Sequence, residues 1–319
     1  MLDHRRLGVL ALCLIAAVCT SRPSHAEDTI RIGLPTKTYW PTVIAEAASR
    51  QKLFQKEGIN VELTVYRGGA EAFEALAAGA ADMVLDPPSL PATARSKGID
   101  AKVVASASTG YFGWQLMVPA NSALTLPDLK GKKVGITSAG SATDLLALWT
   151  MQSKKIDFVR VPVGGGGLTP NLLSGNIDAA VVYSPLSFKL LANGDARTLI
   201  DFASEVPPHL NSGWITTAAL IKSNPALVQK GLNALYGGLL YLRNNRTAAI
   251  ALIAEIDEVP EAIAAQEYDQ NILHLDTVGT FTVDSVARSL DLARLGGMKD
   301  LAPAADVIDT QFKPVPTAP

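Results

Sequence analysis

The chain is poor in the side chains that carry thiol and imidazole chemistry. Its 319 residues include two cysteines and four histidines. Both cysteines, Cys13 and Cys19, fall within the first 26 residues, so the rest of the chain has no thiol for a disulfide, a zinc site or a nucleophile. The later histidines, His209 and His274, have a separation that matches neither a metal site nor a catalytic triad. We therefore expect no catalytic residue, no metal and no cofactor.

Concentrated positive charge is also missing. The chain has 28 Lys and Arg against 30 Asp and Glu, a net charge of −2, and no basic run with interleaved aromatic residues. Gly164–Gly167 is glycine-rich, but no Gly-Lys-Ser/Thr follows it and its spacing is not that of a dinucleotide-binding loop. These patterns predict no nucleic-acid partner and argue against a nucleotide-binding loop.

The N-terminus has the organisation of a secretory signal peptide. Arg5 and Arg6 precede the apolar run Leu7–Cys19, which at 13 residues is too short to span a bilayer. Ser24 and Ala26 supply the small residues that a signal peptidase requires, so we expect residues 1–26 to be removed. Val18 before Cys19 argues against a lipid anchor. The mature protein is therefore expected to be exported.

The rest of the chain contains one α/β pattern twice. Leu172–Val182 mirrors Ala75–Leu85, with Gly175 opposite Gly79 and Asp178 opposite Asp82. Alternating strands and helices predict parallel sheets covered by helices. We predict two similar lobes: lobe I from residues 27–110 and 214–319, where Gly213–Ile221 returns as a strand before four helices, and lobe II from residues 111–213.

Ligands of such sheets lie beyond the carboxyl ends of the strands. In lobe II, strand Lys133–Thr137 leads through the small-residue loop Ser138–Thr143 into an apolar helix. The unpaired N–H groups of a helix start could hold an anionic ligand group, although Ser138 or Ser141 could simply cap the helix. The predicted ligand-binding residues at these strand ends and at the lobe crossings are Lys37, Thr38, Tyr39, Trp40, Arg67, Asp86, Ser89, Tyr111, Ser138, Gly140, Ser141, Ala142, Thr143, Tyr183, Ser184 and Trp214.

Several of these residues allow two interpretations. Lys37 could pair with an anion or be solvated, and Arg67 could clamp an anion or lie in solvent. Asp86 could accept hydrogen bonds from an amine or a ring N–H, or it could cap the helix that begins near Ser89. Tyr111, with Phe112 and Trp114, could belong to an aromatic wall of the cleft or to the core.

Five short stretches together resemble the periplasmic solute-binding proteins of ABC importers. The resemblance is to the nitrate, sulfonate and taurine group, which also contains thiamine-pyrimidine-type proteins. It covers most of the chain after residue 26 and is carried by Ile32-Gly33, Leu53–Val61, Ala75–Asp82, Asp128–Gly135 and Gly175–Ala180. It implies a type II periplasmic binding protein fold, in which two α/β lobes enclose a ligand cleft. A hinge of two crossings would join them, near Ser108–Phe112 and Leu210–Trp214.

The resemblance also implies a function. A monomeric periplasmic receptor would capture a small polar or anionic ligand, of sulfonate, carboxylate or pyrimidine type, and deliver it to an ABC permease in the inner membrane. The alternative is an enzyme of the same fold that acts on a pyrimidine or menaquinone precursor. The pyrimidine synthases of this fold use a cysteine-rich motif that the chain lacks after residue 26, so we expect a protein that is not an enzyme.

Overall fold

A computed structural model describes residues 28–319, and the predicted signal peptide lies outside the described residues. The first part of the chain alternates strands with helices, as the sequence pattern predicts. Its elements are β1 (Thr29–Leu34), α1 (Trp40–Arg50), α2 (Leu53–Lys56), β2 (Asn60–Val65), α3 (Gly69–Ala77), β3 (Met83–Asp86), α4 (Ser89–Ala94) and β4 (Ala101–Ser108).

The middle part of the chain repeats this alternation after one additional strand. Its elements are β5 (Gln115–Pro119), β6 (Lys133–Ile136), α5 (Ala142–Lys154), β7 (Val159–Pro162), α6 (Leu168–Leu173), β8 (Ala179–Val182), α7 (Leu186–Ala192), β9 (Ala196–Asp201) and α8 (Phe202–Glu205).

The last part of the chain contributes one strand and a group of helices. Its elements are β10 (Ser212–Thr217), α9 (Ala218–Ser223), α10 (Pro225–Asn244), α11 (Arg246–Asp257), α12 (Glu261–Gln270) and α13 (Val283–Leu295). Across residues 28–319, none of these helices combines the length and the apolar character that crossing a membrane requires.

The strands form two five-stranded sheets of equivalent topology. Their strand orders are β2-β1-β3-β10-β4 and β7-β6-β8-β5-β9. In each sheet one strand lies antiparallel to both of its neighbours, β10 between β3 and β4, and β5 between β8 and β9. The expectation of purely parallel sheets is therefore wrong. The physical reason is that β5 and β10 are the first strands after each passage of the chain between the sheets, and each enters its new sheet from the opposite end.

The repeated residues have the same structural role in both sheets. Gly79 and Gly175 follow a helix with φ of +75°, a left-handed conformation that glycine adopts without the steric cost of a Cβ atom. Asp82 Oδ2 accepts a hydrogen bond from the backbone N–H of Arg31 at 2.9 Å, and Asp178 Oδ2 accepts one from Lys133 at 2.8 Å. Each aspartate thus ties the start of its strand to the adjacent parallel strand, which is why the sequence repeat coincides with a structural one.

Two short connections join the sheets, residues 109–114 and 202–211. They are hydrogen-bonded to each other, because His209 N–H donates to the Thr109 carbonyl at 3.2 Å and Asn211 Nδ2 donates to the Gly110 carbonyl at 2.5 Å. Strand β10 pairs with β4 from Ser212 onward, so the predicted lobe limit at residue 213 falls two residues inside a strand of the first sheet. Below, lobe I denotes the first sheet with its helices and lobe II the second.

Candidate functional site

A cavity of about 40 Å³ lies between the two sheets. Both lobes and the first connection contribute to its wall, and the lobe residues other than Ser212 lie at or after the carboxyl ends of strands, as the fold rule predicts. The lining residues are Pro35, Thr36, Tyr39, Gly69, Leu85, Asp86, Pro87, Trp114, Thr137, Ser141, Ala142, Thr143, Tyr183 and Ser212.

Six predicted ligand-binding residues line this cavity and ten do not. The six are Tyr39, Asp86, Ser141, Ala142, Thr143 and Tyr183. The ten that lie elsewhere are Lys37, Thr38, Trp40, Arg67, Ser89, Tyr111, Ser138, Gly140, Ser184 and Trp214.

The two predicted anion-binding cations lie outside the cavity. Lys37 forms an ion pair with Glu258, and its side chain is 56% exposed. Arg67 lies 3.8 Å from Glu71 with a side chain that is 72% exposed. Both side chains follow strand ends that face the cleft, but they turn towards solvent and acidic neighbours. The cavity wall as described contains no Lys, Arg or His.

The other predicted residues outside the cavity have structural partners of their own. Trp40 and Trp214 line a small pocket within lobe I. Ser184 Oγ accepts a hydrogen bond from Asn271 Nδ2 at 3.1 Å, and the Tyr111 hydroxyl lies 3.3 Å from His209 Nε2. These four side chains are at most 3% exposed, so they contribute to the interior beside the cavity rather than to its wall.

The remaining four predicted ligand-binding residues lie at the edges of the cleft. Gly140 has a φ of +84° and donates its N–H to Asp144 Oδ2 at 2.8 Å. Ser89 and Ser138 have buried hydroxyls without a hydrogen-bond partner in the described part of the chain. Thr38 lines a second, larger cavity between the lobes.

Asp86 is the carboxylate of the candidate site. It is the last residue of β3, whose four residues are all buried, and its side chain projects into the cavity wall at 2% exposure. Its Oδ2 atom has no hydrogen-bond partner within residues 28–319, and burial raises the pKa of this carboxyl well above its usual range. Helix α4 begins without any side-chain cap. The capping interpretation of Asp86 is therefore wrong.

Gly69 makes room for this carboxylate. A Cβ atom on Gly69 would lie 2.0 Å from Asp86 Oδ1, a distance at which the two atoms could not coexist. The glycine at the start of α3 thus lets the backbone approach the carboxylate directly.

Three hydroxyl groups form a closed cluster on the lobe II side of the cavity. Thr137 Oγ1 donates to Ser141 Oγ at 2.8 Å, Ser141 Oγ lies 2.8 Å from Thr143 Oγ1, and Thr143 Oγ1 accepts from the Thr137 N–H at 2.9 Å. Ser141 also caps α5, with a long hydrogen bond of 3.4 Å from the Asp144 N–H. Ser141 therefore both caps the helix and lines the cavity, and the hydroxyls of Thr137, Ser141 and Thr143 are already bonded to one another.

Three aromatic rings meet at the cavity. The ring centroids of Tyr39, Trp114 and Tyr183 are 5.8 Å (Tyr39 to Trp114), 5.1 Å (Tyr39 to Tyr183) and 5.2 Å (Trp114 to Tyr183) apart. The rings come from lobe I, the first connection and lobe II, respectively. The Tyr183 hydroxyl donates to Thr36 Oγ1 at 3.1 Å, a hydrogen bond that crosses from one lobe to the other. We name these three residues the aromatic trio.

The glycine-rich segment Gly164–Gly167 brings the lobes together. Gly165 N–H donates to the Arg67 carbonyl of lobe I at 2.8 Å. A Cβ atom on Gly165 would lie 2.5 Å from Thr36 Cγ2, so only glycine permits this approach. Gly165 therefore serves close packing between the lobes.

Two further buried carboxylates lie near the lobe interface but outside the site. Asp257 lines the second interlobe cavity, of about 460 Å³, and neither of its oxygens has a hydrogen-bond partner among the described residues. Glu267 Oε1 accepts from Asn271 Nδ2 at 2.7 Å, and the same amide reaches Ser184 of lobe II. Burial raises the pKa of Glu267 to about 7.

Eight lining residues were not among the sixteen predicted ligand-binding residues. They are Pro35, Thr36, Gly69, Leu85, Pro87, Trp114, Thr137 and Ser212. Thr36 and Thr137 follow equivalent strands of the repeat, β1 and β6, so the sequence repeat contained the signal that could have found both. Ser212 reaches the cavity only because β10 inserts between β3 and β4, an arrangement without a local sequence signal.

The family model described as NMT1/THI5 like matches residues 44–249, more than half of the chain. The protein belongs to the NMT1/THI5-like family. A protein of Brucella abortus (strain 2308) named as a binding protein is 27% identical over 231 residues, which cover 71% of this chain and 70% of that protein. The predicted family relationship is confirmed.

Solved structures show which fold this family member has. The alkanesulfonate-binding protein SsuA from Xanthomonas axonopodis pv. citri, bound to MOPS, has a TM-score of 0.74 and 20% identity over 87% of this chain and 97% of its own. The periplasmic aliphatic sulphonate binding protein SsuA from Escherichia coli has a TM-score of 0.71 and 22% identity, with coverages of 91% and 93%. The prediction of a two-lobed periplasmic binding protein fold is confirmed.

An enzyme shares the architecture as well. The desulfurization enzyme DSZB has a TM-score of 0.60 and 16% identity over 89% of this chain and 97% of its own. At these identities the likeness shows the fold alone. What the cleft does in this protein must therefore be argued from its own residues.

Proposed function

We propose that this protein is the solute-binding component of an ABC importer. It would act in the periplasm as a monomer, capture a small organic ligand between its lobes and deliver it to an inner-membrane permease. The binding proteins among its relatives and structural neighbours support this class of function.

The observation that carries the proposal is a cavity whose wall is shared between two hinged lobes. Thr36 and Asp86 of lobe I face Thr143 and Tyr183 of lobe II across it. Hydrogen bonds from Gly165 to Arg67 and from Tyr183 to Thr36 hold the lobes together over the cavity. A ligand that contacts both walls would favour this closed arrangement over an open one, which is how a binding protein signals occupancy.

Binding without turnover is the chemistry that these groups favour. The hydroxyls of Thr137, Ser141 and Thr143 are bonded to one another, and no general base lies within hydrogen-bonding distance of them among the described residues. A nucleophilic hydroxyl requires such a base. The arrangement therefore provides recognition and enclosure rather than an activated nucleophile.

Native mass spectrometry of the protein purified without denaturation tests this function. We expect a bound small molecule that is released unchanged, and that raises the melting temperature when it is added back. Cells without this chain should lose uptake of the same compound. Conversion of the compound by the purified protein would contradict the binding function and support the enzymatic alternative.

A further inference from the structure

The charge of the cavity is unusual for a site expected to take an anion. Asp86 is the one carboxylate in the wall as described, and no cationic side chain accompanies it. Its Oδ2 atom is buried without a hydrogen-bond partner. A buried carboxylate without a counter-ion is costly, and proteins normally pair it or keep it protonated. The site therefore lacks a counter-ion for Asp86, and a ligand with a positive group could supply it.

The rest of the wall also suits a cation. The aromatic trio of Tyr39, Trp114 and Tyr183 lines part of the cavity wall, together with the apolar side chains of Leu85 and Pro87. Aromatic faces carry negative electrostatic potential, and clustered rings are a recurrent means of binding organic ammonium groups. An anionic group would meet these rings with no cationic side chain in the wall to balance its charge.

The volume limits the size of the ligand that this closed form encloses. A cavity of about 40 Å³ has room for roughly three water molecules, since one buried water needs about 10–15 Å³. A compound of only a few non-hydrogen atoms fits this enclosure without reopening the lobes.

We propose that the cleft binds a small organic ammonium compound, whose cationic nitrogen pairs with Asp86 while its carbon atoms contact the aromatic trio. The proposal rests on the solute-binding function proposed above and names the ligand class of that site. It distinguishes this protein from its structural neighbours named for alkanesulfonate binding, with which it shares the fold. Asp86 is then the residue that determines specificity.

Ethanolamine and isethionate make a matched pair of probes, because both carry a two-carbon chain with a hydroxyl and differ in the ammonium or sulfonate group. Calorimetric titration of the purified protein should show binding of ethanolamine and no measurable binding of isethionate. Asp86→Asn keeps the shape of the side chain and removes its charge, so it should weaken ethanolamine binding by about 10- to 150-fold. The variant should remain folded, because it also removes an unpaired buried charge.

Asp257→Asn is the matched control. Asp257 is also 2% exposed and unpartnered among the described residues, but it lines the other interlobe cavity. This variant should leave the preference for ethanolamine over isethionate unchanged. Equal effects of the two substitutions on that preference would overturn the assignment of Asp86.

Several results would overturn the ligand class while leaving the proposed function intact. Tighter binding of isethionate than of ethanolamine would do so, as would the absence of ethanolamine binding at millimolar concentration. The ligand class would also be wrong if native mass spectrometry recovered an anionic or neutral compound that the protein releases unchanged. Recovery of a converted product would instead contradict the proposed function itself.

Discussion

Gly165→Ala should weaken ligand binding without unfolding the protein. The added Cβ atom would lie 2.5 Å from Thr36 Cγ2 and 2.9 Å from Thr36 Cβ across the cleft, and 2.7 Å from the hydroxyl of Tyr183 in its own lobe. Non-bonded carbon atoms are optimally separated by about 3.5–4.0 Å, so the lobes must move apart by about 1 Å at this point. The hydrogen bonds from Gly165 to Arg67 and from Tyr183 to Thr36 would then lengthen from 2.8 and 3.1 Å.

The cost of this overpacking falls on the closed form. Inserting a methyl group into a tight contact typically costs about 1–3 kcal/mol, and opening of the lobes relieves the contact with Thr36. Because the ligand binds between closed lobes, its affinity should fall by about 5- to 150-fold. Calorimetric titration with the compound recovered by native mass spectrometry measures this loss, and a denaturant melt measures stability separately.

Gly166→Ala provides the matched control. It places the same methyl group one residue further along the same turn, where no heavy atom lies within 4 Å of the new Cβ atom. The two variants alter the unfolded chain equally, so their difference isolates the contacts of the new methyl group with Thr36 across the cleft and with the Tyr183 hydroxyl that bonds to Thr36. Equal affinities in the two variants would refute the reasoning that this glycine sets how closely the lobes approach.

Three other predictions concern the interior and the hinge. Burial raises the pKa of Glu267 from 4.5 to about 7. Between these two values the folded protein holds a proton that the unfolded chain has released. The free energy of unfolding therefore falls as the pH rises through this range, by about 3 kcal/mol in total. In denaturant melts, Glu267→Gln should be about as stable as the wild type below pH 4.5 and more stable by about 3 kcal/mol above pH 7. A stabilisation that does not depend on pH would exclude this explanation. Ser141→Ala with Thr143→Ala leaves the buried Thr137 N–H without its acceptor, so we expect a loss of about 1–3 kcal/mol in the same melts, and unchanged stability would contradict the role of the hydroxyl cluster. Ligand should also close the lobes about the two connections, so small-angle scattering should show a smaller radius of gyration in the bound protein. An unchanged radius at saturation would rule out this closure.

The architecture was largely predictable because its signals are local and occur twice. The Gly79 and Gly175 turns and the Asp82 and Asp178 hydrogen bonds require one residue type at one position in each repeat. Periodicity and turn chemistry report such requirements directly. Strand β10 was predicted as a returning strand, but its antiparallel direction was not. Strand β5 was missed, because it has no helix before it and its partners, β8 and β9, lie more than 60 residues further along the chain.

The candidate site was predictable only in part. Sequence order identifies the loops that follow each strand, which is why Tyr39, Asp86 and Tyr183 were among the predicted residues. It does not specify which side chain of a loop turns inwards. Lys37 and Arg67 follow strand ends as Tyr39 and Gly69 do, yet they pair with Glu258 and Glu71 at the surface.

The sequence by itself determined that the chain builds two α/β lobes of one design, because hydrophobic period, helix ends and strand starts are properties of neighbouring residues. Only the tertiary structure decided the chemistry of the cleft. Asp86, Trp114 and Ser212 come from β3, the first connection and β10, and they share one cavity because the chain crosses between the lobes twice. The charge of that cavity depends on which side chains the closed lobes exclude from water, and burial is a property of the whole fold rather than of any segment.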